Sequence, residues 1–311
     1  MSGARGPVRH ARPIGLVAMV AVVVTFSASS TIIRKAGAPG PTIAFWRMLG
    51  SSIIWTALLR LKEGHFVSRQ EWRRALVTGV VLGFNILLFY TAATRTSVAN
   101  LEFISALAPL LLMPAGALLF HEKVDRRAAL FGLISIAGLA LVLFDAPKRG
   151  AATWTGNGLA VLSLVTWSSY LLASRQLRKG MSVATLMASA LPIATLITLP
   201  FVVFNGDISR FDTRSMMYIV VLTLLTGVVA HGLIVFAQRK VPIGIMSMMQ
   251  VGQPALAVVW SAIFLSQSIR ALQLLGMAMV VFGLATVVVQ TQRRTARLLE
   301  TENGELAGSA G

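Results

Sequence analysis

The sequence predicts an all-α polytopic membrane protein, ten transmembrane helices arranged as two inverted five-helix repeats. Three observations predict it. Hydrophobic residues make up 56% of the chain and charged residues 13%, where a soluble domain carries about 25% charged. Ten apolar runs follow one another at 14–33, 41–61, 75–94, 98–120, 128–145, 156–175, 183–204, 215–238, 242–265 and 271–290, each long enough to cross about 30 Å of hydrocarbon. The stretch Pro109–Glu122 is echoed 145 residues later at Pro254–Gln267. In both copies a proline interrupts an apolar helix and a polar residue closes it. The short alternating segments of a membrane β-barrel are missing.

Span 1 follows Arg5, Arg9 and Arg12 and ends near Ser27-Ala28-Ser29, a pattern shared with secretory signals. Retention is expected, because cleavage would unbalance the halves. Span 2 holds Arg47, six residues from its end, about 9 Å deep at 1.5 Å per residue. Span 3 holds Asn85 and Tyr90, and its Gly79-Val80-Val81-Leu82-Gly83 favours close helix packing, within the bundle or between subunits. Span 4 carries Glu102, Ser105 and Pro109 at i, i+3 and i+7, one helix face. Glu102 lies about 6 Å deep, so a pair with Arg47 is geometrically allowed, either bracing the first bundle or flanking a substrate path. Glu122 closes span 4 beside His121, Lys123, Asp125, Arg126 and Arg127, as a gate or as a solvated cluster.

Span 5 ends in Gly138-Leu139-Ala140-Leu141-Val142, matched by Gly283-Leu284-Ala285-Thr286-Val287 in span 10. The polar segment 146–155 divides a first repeat, 14–145, from a second, 156–290. Early in the repeats the offset is 141: Gly15 with Gly156, Thr25 with Thr166, Ser27 with Ser168, Arg34 with Arg175. Five spans is an odd number, so the second repeat enters the membrane upside down, with a binding site expected between the halves. Span 6 offers Trp167 and Tyr170 as aromatic walls, with Trp260 in span 9 as a third. His231 in span 8 falls one residue from the register partner of Asn85, as a helix-to-helix donor or a proton carrier. Ser247, Gln250 and Pro254 in span 9 repeat the polar face of span 4. Each proline leaves a carbonyl one turn back without its donor, tolerable in lipid only beside a cavity or partner helix. Residues 291–311 read as a cytoplasmic tail, a frayed helix end and then disorder.

The net charge of +17 is topological. With the N-terminus inside, cytoplasmic segments carry 19 Lys and Arg and outer loops carry 8, which places both termini in the cytoplasm and the protein in the cell membrane. No nucleic-acid partner is expected. The chain has no cysteine, no Walker A sequence and no HExxH. The reading is therefore of a protein that is not an enzyme, with no cofactor and no metal; an intramembrane group-transfer enzyme and a non-transporting scaffold or sensor are the competing classes.

This order of features resembles the drug/metabolite transporter superfamily, specifically proteins with two EamA domains, over roughly 14–290. The resemblance rests on Ala44-Phe45-Trp46-Arg47, the small-residue span ending in Leu119-Phe120-His121-Glu122, Val165-Thr166-Trp167-Ser168 and Gln253-Pro254. It departs at Gln267, where the family usually has Glu. It implies secondary active or facilitative transport of small metabolites, amino acids and related compounds foremost, with export favoured over uptake. Proton coupling and homo-oligomerisation are both compatible with it. The expected substrate-binding residues are Arg47, Asn85, Tyr90, Glu102, Ser105, Pro109, Trp167, Tyr170, His231, Ser247, Gln250 and Pro254.

Overall fold

The computed structural model describes residues 13–290 apart from 97, 122–125, 145–152, 205–207, 210, 266–270, 273, 277, 281, 284, 287 and 288. All regular structure among the described residues is helical. Local chemistry sets many of the boundaries. The first apolar run is split into α1 (Pro13–Ser27) and α2 (Ser29–Ala36), and Gly37 ends α2 at a φ of 68° that favours glycine. Helix α3 (Gly40–Glu63) starts with a proline in its first turn, where the missing N–H costs nothing. Helix α4 (Arg69–Arg95) is opened by a capping box between Ser68 and Glu71.

The fourth apolar run is broken at Leu107 into α5 (Val98–Ala106) and α6 (Ala108–Phe120), just before Pro109. After α7 (Arg126–Phe144), the Thr153 hydroxyl caps α8 (Trp154–Leu177), and α9 (Val183–Phe204) follows. Asp212 caps α10 (Thr213–Leu222), which passes through a π-helical segment, Thr223–Ala230, into α11 (His231–Ala237). The ninth apolar run repeats the break at Val251, between α12 (Ile243–Gln250) and α13 (Gly252–Leu265). Described residues within 271–290 are again helical.

Six of the expected spans form helices long and apolar enough to cross a membrane: Pro13–Ala36, Gly40–Glu63, Arg69–Arg95, Val183–Phe204, Thr213–Ala237 and Ile243–Phe264. Large aliphatic side chains such as Val17, Ile53 and Leu118 point outward, whereas Ser51, Thr78, Asn85, Ser189 and Thr198 are buried. That distribution suits a bundle solvated by lipid, where polar side chains bond to neighbouring helices. The segment 146–155 falls mostly outside the described residues, as do Glu122, Gln267 and the tail 291–311.

Equivalent positions of the two repeats meet in reciprocal pairs. A Cβ on Gly15 would lie 2.7 Å from both Lys240 and Val241, and one on Gly156 would lie 2.5 Å from the Arg95 carbonyl oxygen and 2.9 Å from Thr96. Each first helix therefore seats a glycine on the turn between the third and fourth apolar runs of the other half. Arginine follows the same rule within each half. Arg34 Nη2 donates to the Thr96 carbonyl at 2.9 Å, and Arg175 Nη1 donates to the Val241 carbonyl at 2.7 Å. Gly138 and Gly283, also equivalent, form a crossing: a Cβ on Gly138 would reach the Gly276 carbonyl at 2.7 Å, and one on Gly283 the Phe131 carbonyl at 2.7 Å. Gly79 and Gly83 of the GxxxG pattern lie against Ala190, Ile193, Ala194 and Ile197 of α9, so that motif is used inside the bundle.

Gly156→Ala should lower the melting temperature in detergent, because rigid backbone stands 2.5 Å from the new methyl; overpacking of this kind costs roughly 1–3 kcal/mol. Gly158→Ala, two residues along the same helix with nothing within 4 Å, should be neutral or stabilising by up to about 1 kcal/mol.

Candidate functional site

Arg47 sits in the interior of α3 with 1% of its surface exposed. Its Nε donates to Thr226 Oγ1 at 2.9 Å, its guanidinium lies 5.5 Å from the Tyr90 ring centroid, and Nη1 is buried with no partner. Thr226 belongs to the π-helical segment, and the wider i→i+5 turn there is a feature often found at functional sites. The turn is fitted closely to α3. Trp55 Nε1 donates to the Gly227 carbonyl at 3.3 Å, and a Cβ on Gly227 would collide with Ser51 Oγ at 2.0 Å.

His231 follows the π segment. Its Nδ1 lies 2.6 Å from the Thr226 carbonyl and 3.2 Å from Arg47 Nη2. A carbonyl can only accept, so Nδ1 carries the hydrogen, and the contact with the guanidinium is proximity between two donors. Nε2 is left buried and unpartnered, an acceptor in the neutral ring. Phe26, Trp167 and Tyr170 surround the imidazole at centroid distances of 5.1, 5.9 and 6.2 Å.

These groups line one cavity of about 750 Å³, its open mouth included. Arg47 comes from α3, Asn85 and Tyr90 from α4, Glu102 and Ser105 from α5, Trp167 from α8, His231 from α11, and Gln250 and Pro254 from α12 and α13. The breaks at Leu107 and Val251 precede Pro109 and Pro254. The carbonyls that lose their i+4 donor therefore belong to Ser105 and Gln250, both on the cavity wall. Gln250 Oε1 accepts from Trp167 Nε1 at 3.2 Å, which fixes both side chains.

Three expected residues stand back from the cavity wall. Pro109 is buried one turn below Ser105. Tyr170 packs behind Trp167 with its hydroxyl 4.0 Å from Met187 Sδ. The Ser247 hydroxyl is spent on the Gly244 carbonyl at 2.8 Å. Trp260 is committed to Ser27 Oγ at 2.8 Å. Asn85 reaches the wall but spends its amide on α8, donating to the Ser163 carbonyl at 2.9 Å and to Ser163 Oγ at 3.1 Å.

The expected pairing of Arg47 with Glu102 is corrected by the structure. Both line the cavity, yet among the described residues the ion pair within 4 Å is His65 with Glu63, and Arg47 turns toward the π segment. Glu102 instead lies near the Ser30 hydroxyl, too loosely for a hydrogen bond of ordinary geometry. Four polar wall residues were absent from the expected set: Thr226, Gln253, Ser29 and Ser163. Gln253 adjoins Pro254 in sequence. Thr226 is a polar residue in an apolar run, a signal too common in membrane helices to single out.

Outside the cavity lining, two arginines near the end of α8 are drawn onto backbone. Arg175 Nη1 also donates to the Gln238 carbonyl at 2.9 Å, and its guanidinium lies 5.1 Å from the Phe120 ring centroid. Arg178, in the turn after α8, bonds the Val235 and Met181 carbonyls. Burial and the neighbouring Arg239 pull its pKa down to about 10, so it is charged at neutral pH. Arg34, the repeat equivalent of Arg175, bonds the Thr96 carbonyl and leaves Nε without a partner among the described residues.

The EamA-like transporter family matches residues 13–144 and again 154–289. The chain belongs to that family. It is 24% identical over 189 residues to the pseudopaline exporter CntI of Pseudomonas aeruginosa strain UCBPP-PA14, across 60% of this chain; the match spans 65% of the exporter's length, just under two thirds. It is 22% identical over 289 residues to the uncharacterized transporter YxxF of Bacillus subtilis strain 168, across 89% of this chain and 90% of that one. A crystal structure of another protein superposes with a TM-score of 0.77 at 18% identity, covering 91% of this chain and 99% of that one; at that identity the likeness concerns the fold alone. Family and relatives are transporters, which points to a small-molecule substrate, a multi-pass membrane protein and away from enzymatic activity.

Thr226→Val should weaken the site from behind. It keeps the shape but removes the acceptor of Arg47 Nε, and a buried charged donor left unsatisfied costs about 1–3 kcal/mol. The expected result is a lower melting temperature together with impaired transport, whereas Thr198→Val, whose hydroxyl serves only the Thr195 carbonyl, should leave transport intact.

Proposed function

We propose that the protein is a ten-helix secondary active or facilitative transporter that exports small metabolites, amino acids or related compounds, across the cell membrane by alternating access. The repeats 14–145 and 156–290 form the two inverted halves, and both termini, with the tail 291–311, lie in the cytoplasm. One observation carries this reading: residues of both halves line one cavity, and the two halves make matching sets of reciprocal contacts. Gly15, Val241 and Arg175 make one set; Gly156, Thr96 and Arg34 make the other. Inverted repeats permit two related conformations, each open to one side. The set around Arg175 is the tighter one, with three hydrogen-bonded carbonyls between Arg175 and Arg178 beyond the one at Val241. The exporter CntI among the relatives supports outward transport.

The wall suits an amphipathic solute. Phe26, Ile86, Phe89 and Leu164 provide apolar surface, while Arg47 provides a guanidinium and Glu102 a carboxyl group apart from it. The sequence-expected residues on this wall, Arg47, Asn85, Tyr90, Glu102, Ser105, Trp167, His231, Gln250 and Pro254, would touch the substrate. Pro109, Tyr170 and Ser247 would act by shaping the helices behind them.

Two measurements test the proposal. Purified protein in proteoliposomes should show saturable flux of at least one metabolite, and flux with and without a pH gradient decides proton coupling; ligand-induced stabilisation without flux would identify a receptor instead. Because the chain has no native cysteine, a Ser105→Cys reporter can be labelled from either side with an impermeant maleimide. Arg175→Gln should raise labelling from the cytoplasmic face and Arg34→Gln from the outer face; equal effects of both on one face would rule out alternating access through these ends.

A further inference from the structure

We infer that the solute is anchored through a carboxylate, received by Arg47 Nη1 with the Tyr90 hydroxyl beside it. The inference deepens the transport reading and rests on the cavity being the substrate site. Three other buried or half-buried arginines are spent on backbone: Arg34 on Thr96, Arg175 on Gln238 and Val241, Arg178 on Val235 and Met181. Arg47 differs in its partners. It is the most deeply buried of the four, its one hydrogen-bond acceptor is a neutral threonine hydroxyl and not a carbonyl, and no carboxylate of the described residues is within ion-pair distance. A buried guanidinium without a counter-charge is expensive in a membrane interior.

The unpartnered atoms around it describe what is missing. Arg47 Nη1, Tyr90 Oη and Gln253 Nε2 are all buried without partners, and all three residues line the cavity. Nη1 and Nε2 can only donate, and Oη donates as well. The Tyr90 ring stacks against the guanidinium at 5.5 Å, which brings its end of the site and the cation together. Three donors against one unpartnered acceptor, His231 Nε2, together with one positive charge, call for an anionic group with several lone pairs. A carboxylate supplies two oxygens and four acceptor sites in the planar shape that a guanidinium fork matches. The apolar wall excludes water from the pair, so a ligand lacking the charge leaves the donors unsatisfied and is rejected.

The test uses leucine, phenylalanine, serine and glutamate, each with its carboxamide and with the amine that remains when the carboxylate is removed. Binding to the purified full chain is read by thermal shift and calorimetry. At least one acid should bind at least tenfold tighter than its own amide and amine, and Arg47→Gln should abolish that discrimination. Tyr90→Phe removes one hydroxyl, keeps the ring on the guanidinium, and should reduce the discrimination several-fold in a folded protein. An amide or amine that binds as well as its acid overturns the inference, as does a panel in which no acid binds. Flux separates the two readings: saturable transport of an uncharged solute would leave the transporter standing without the carboxylate site, whereas carboxylate binding without flux would do the reverse.

Discussion

Hydrocarbon offers no hydrogen bonds, and the fold is organised by that deficit. A polar group inside the bundle must find its partner in another helix, or in whatever solute enters. Most do find one: Asn85 on Ser163, Gln238 on Leu171 and Ser174, Ser215 on Ala36. Each of these bonds ties helices that are distant in sequence, so the polar residues act as fasteners between apolar surfaces that lipid would solvate equally well. The exceptions then become informative. The cavity gathers Arg47, Tyr90, His231 and Gln253, each with a buried polar atom that the protein leaves unmatched. A bundle that draws Arg34, Arg175 and Arg178 onto backbone carbonyls, and leaves the Arg47 guanidinium partly bare, keeps a charge on the cavity wall for an entering solute to meet.

The repeats explain how the reserve is held in place. The breaks at Leu107 and Val251 occur at nearly equivalent points, so both halves bring a helix interruption to the same cavity. A proline cannot donate to the carbonyl four residues back, which loosens the helix where Ser105 and Gln250 stand. Glycines absorb the closest approaches between the halves, at Gly15, Gly156, Gly138 and Gly283.

Much of this was legible in the sequence and the remainder has a physical reason for having been hidden. The period of 145 located the prolines, and the i, i+3, i+7 spacing put Glu102 and Ser105 on one face, which the cavity uses. Depth along a helix is a linear quantity, and the sequence gives it well; azimuth between helices is not. Counting along the spans puts Arg47 and Glu102 at similar expected depth, yet α3 turns Arg47 toward the π segment, and the pair does not form. The π segment itself leaves no mark in Thr223-Leu224-Leu225-Thr226-Gly227-Val228-Val229-Ala230, because one added residue per turn is selected by the fit to Ser51 and Trp55 across the interface. Ser247 shows the converse: spacing puts it on one face with Gln250, but its hydroxyl closes locally on Gly244 and it stands back from the cavity wall.

The unpaired charge also bears on how the site can bind tightly without binding too tightly. Desolvating a guanidinium is the largest penalty in forming such a contact, and here folding has already imposed it. An arriving carboxylate need only shed its own water, and it meets donors fixed by Thr226, by the Tyr90 ring and by the π turn, so little further ordering is lost. The same geometry limits the gain. Thr226 holds Nε on the far side of the fork, and His231 Nδ1 crowds Nη2 as a second donor, which leaves Nη1 as the free edge of the guanidinium. A carboxylate is therefore met by one guanidinium nitrogen and neighbouring neutral donors, not by the full bidentate fork that makes buried arginine pairs hard to separate. A carrier has to release its cargo on the other side. A charge prepared in advance but offered through one edge reconciles selection of an anion with its departure.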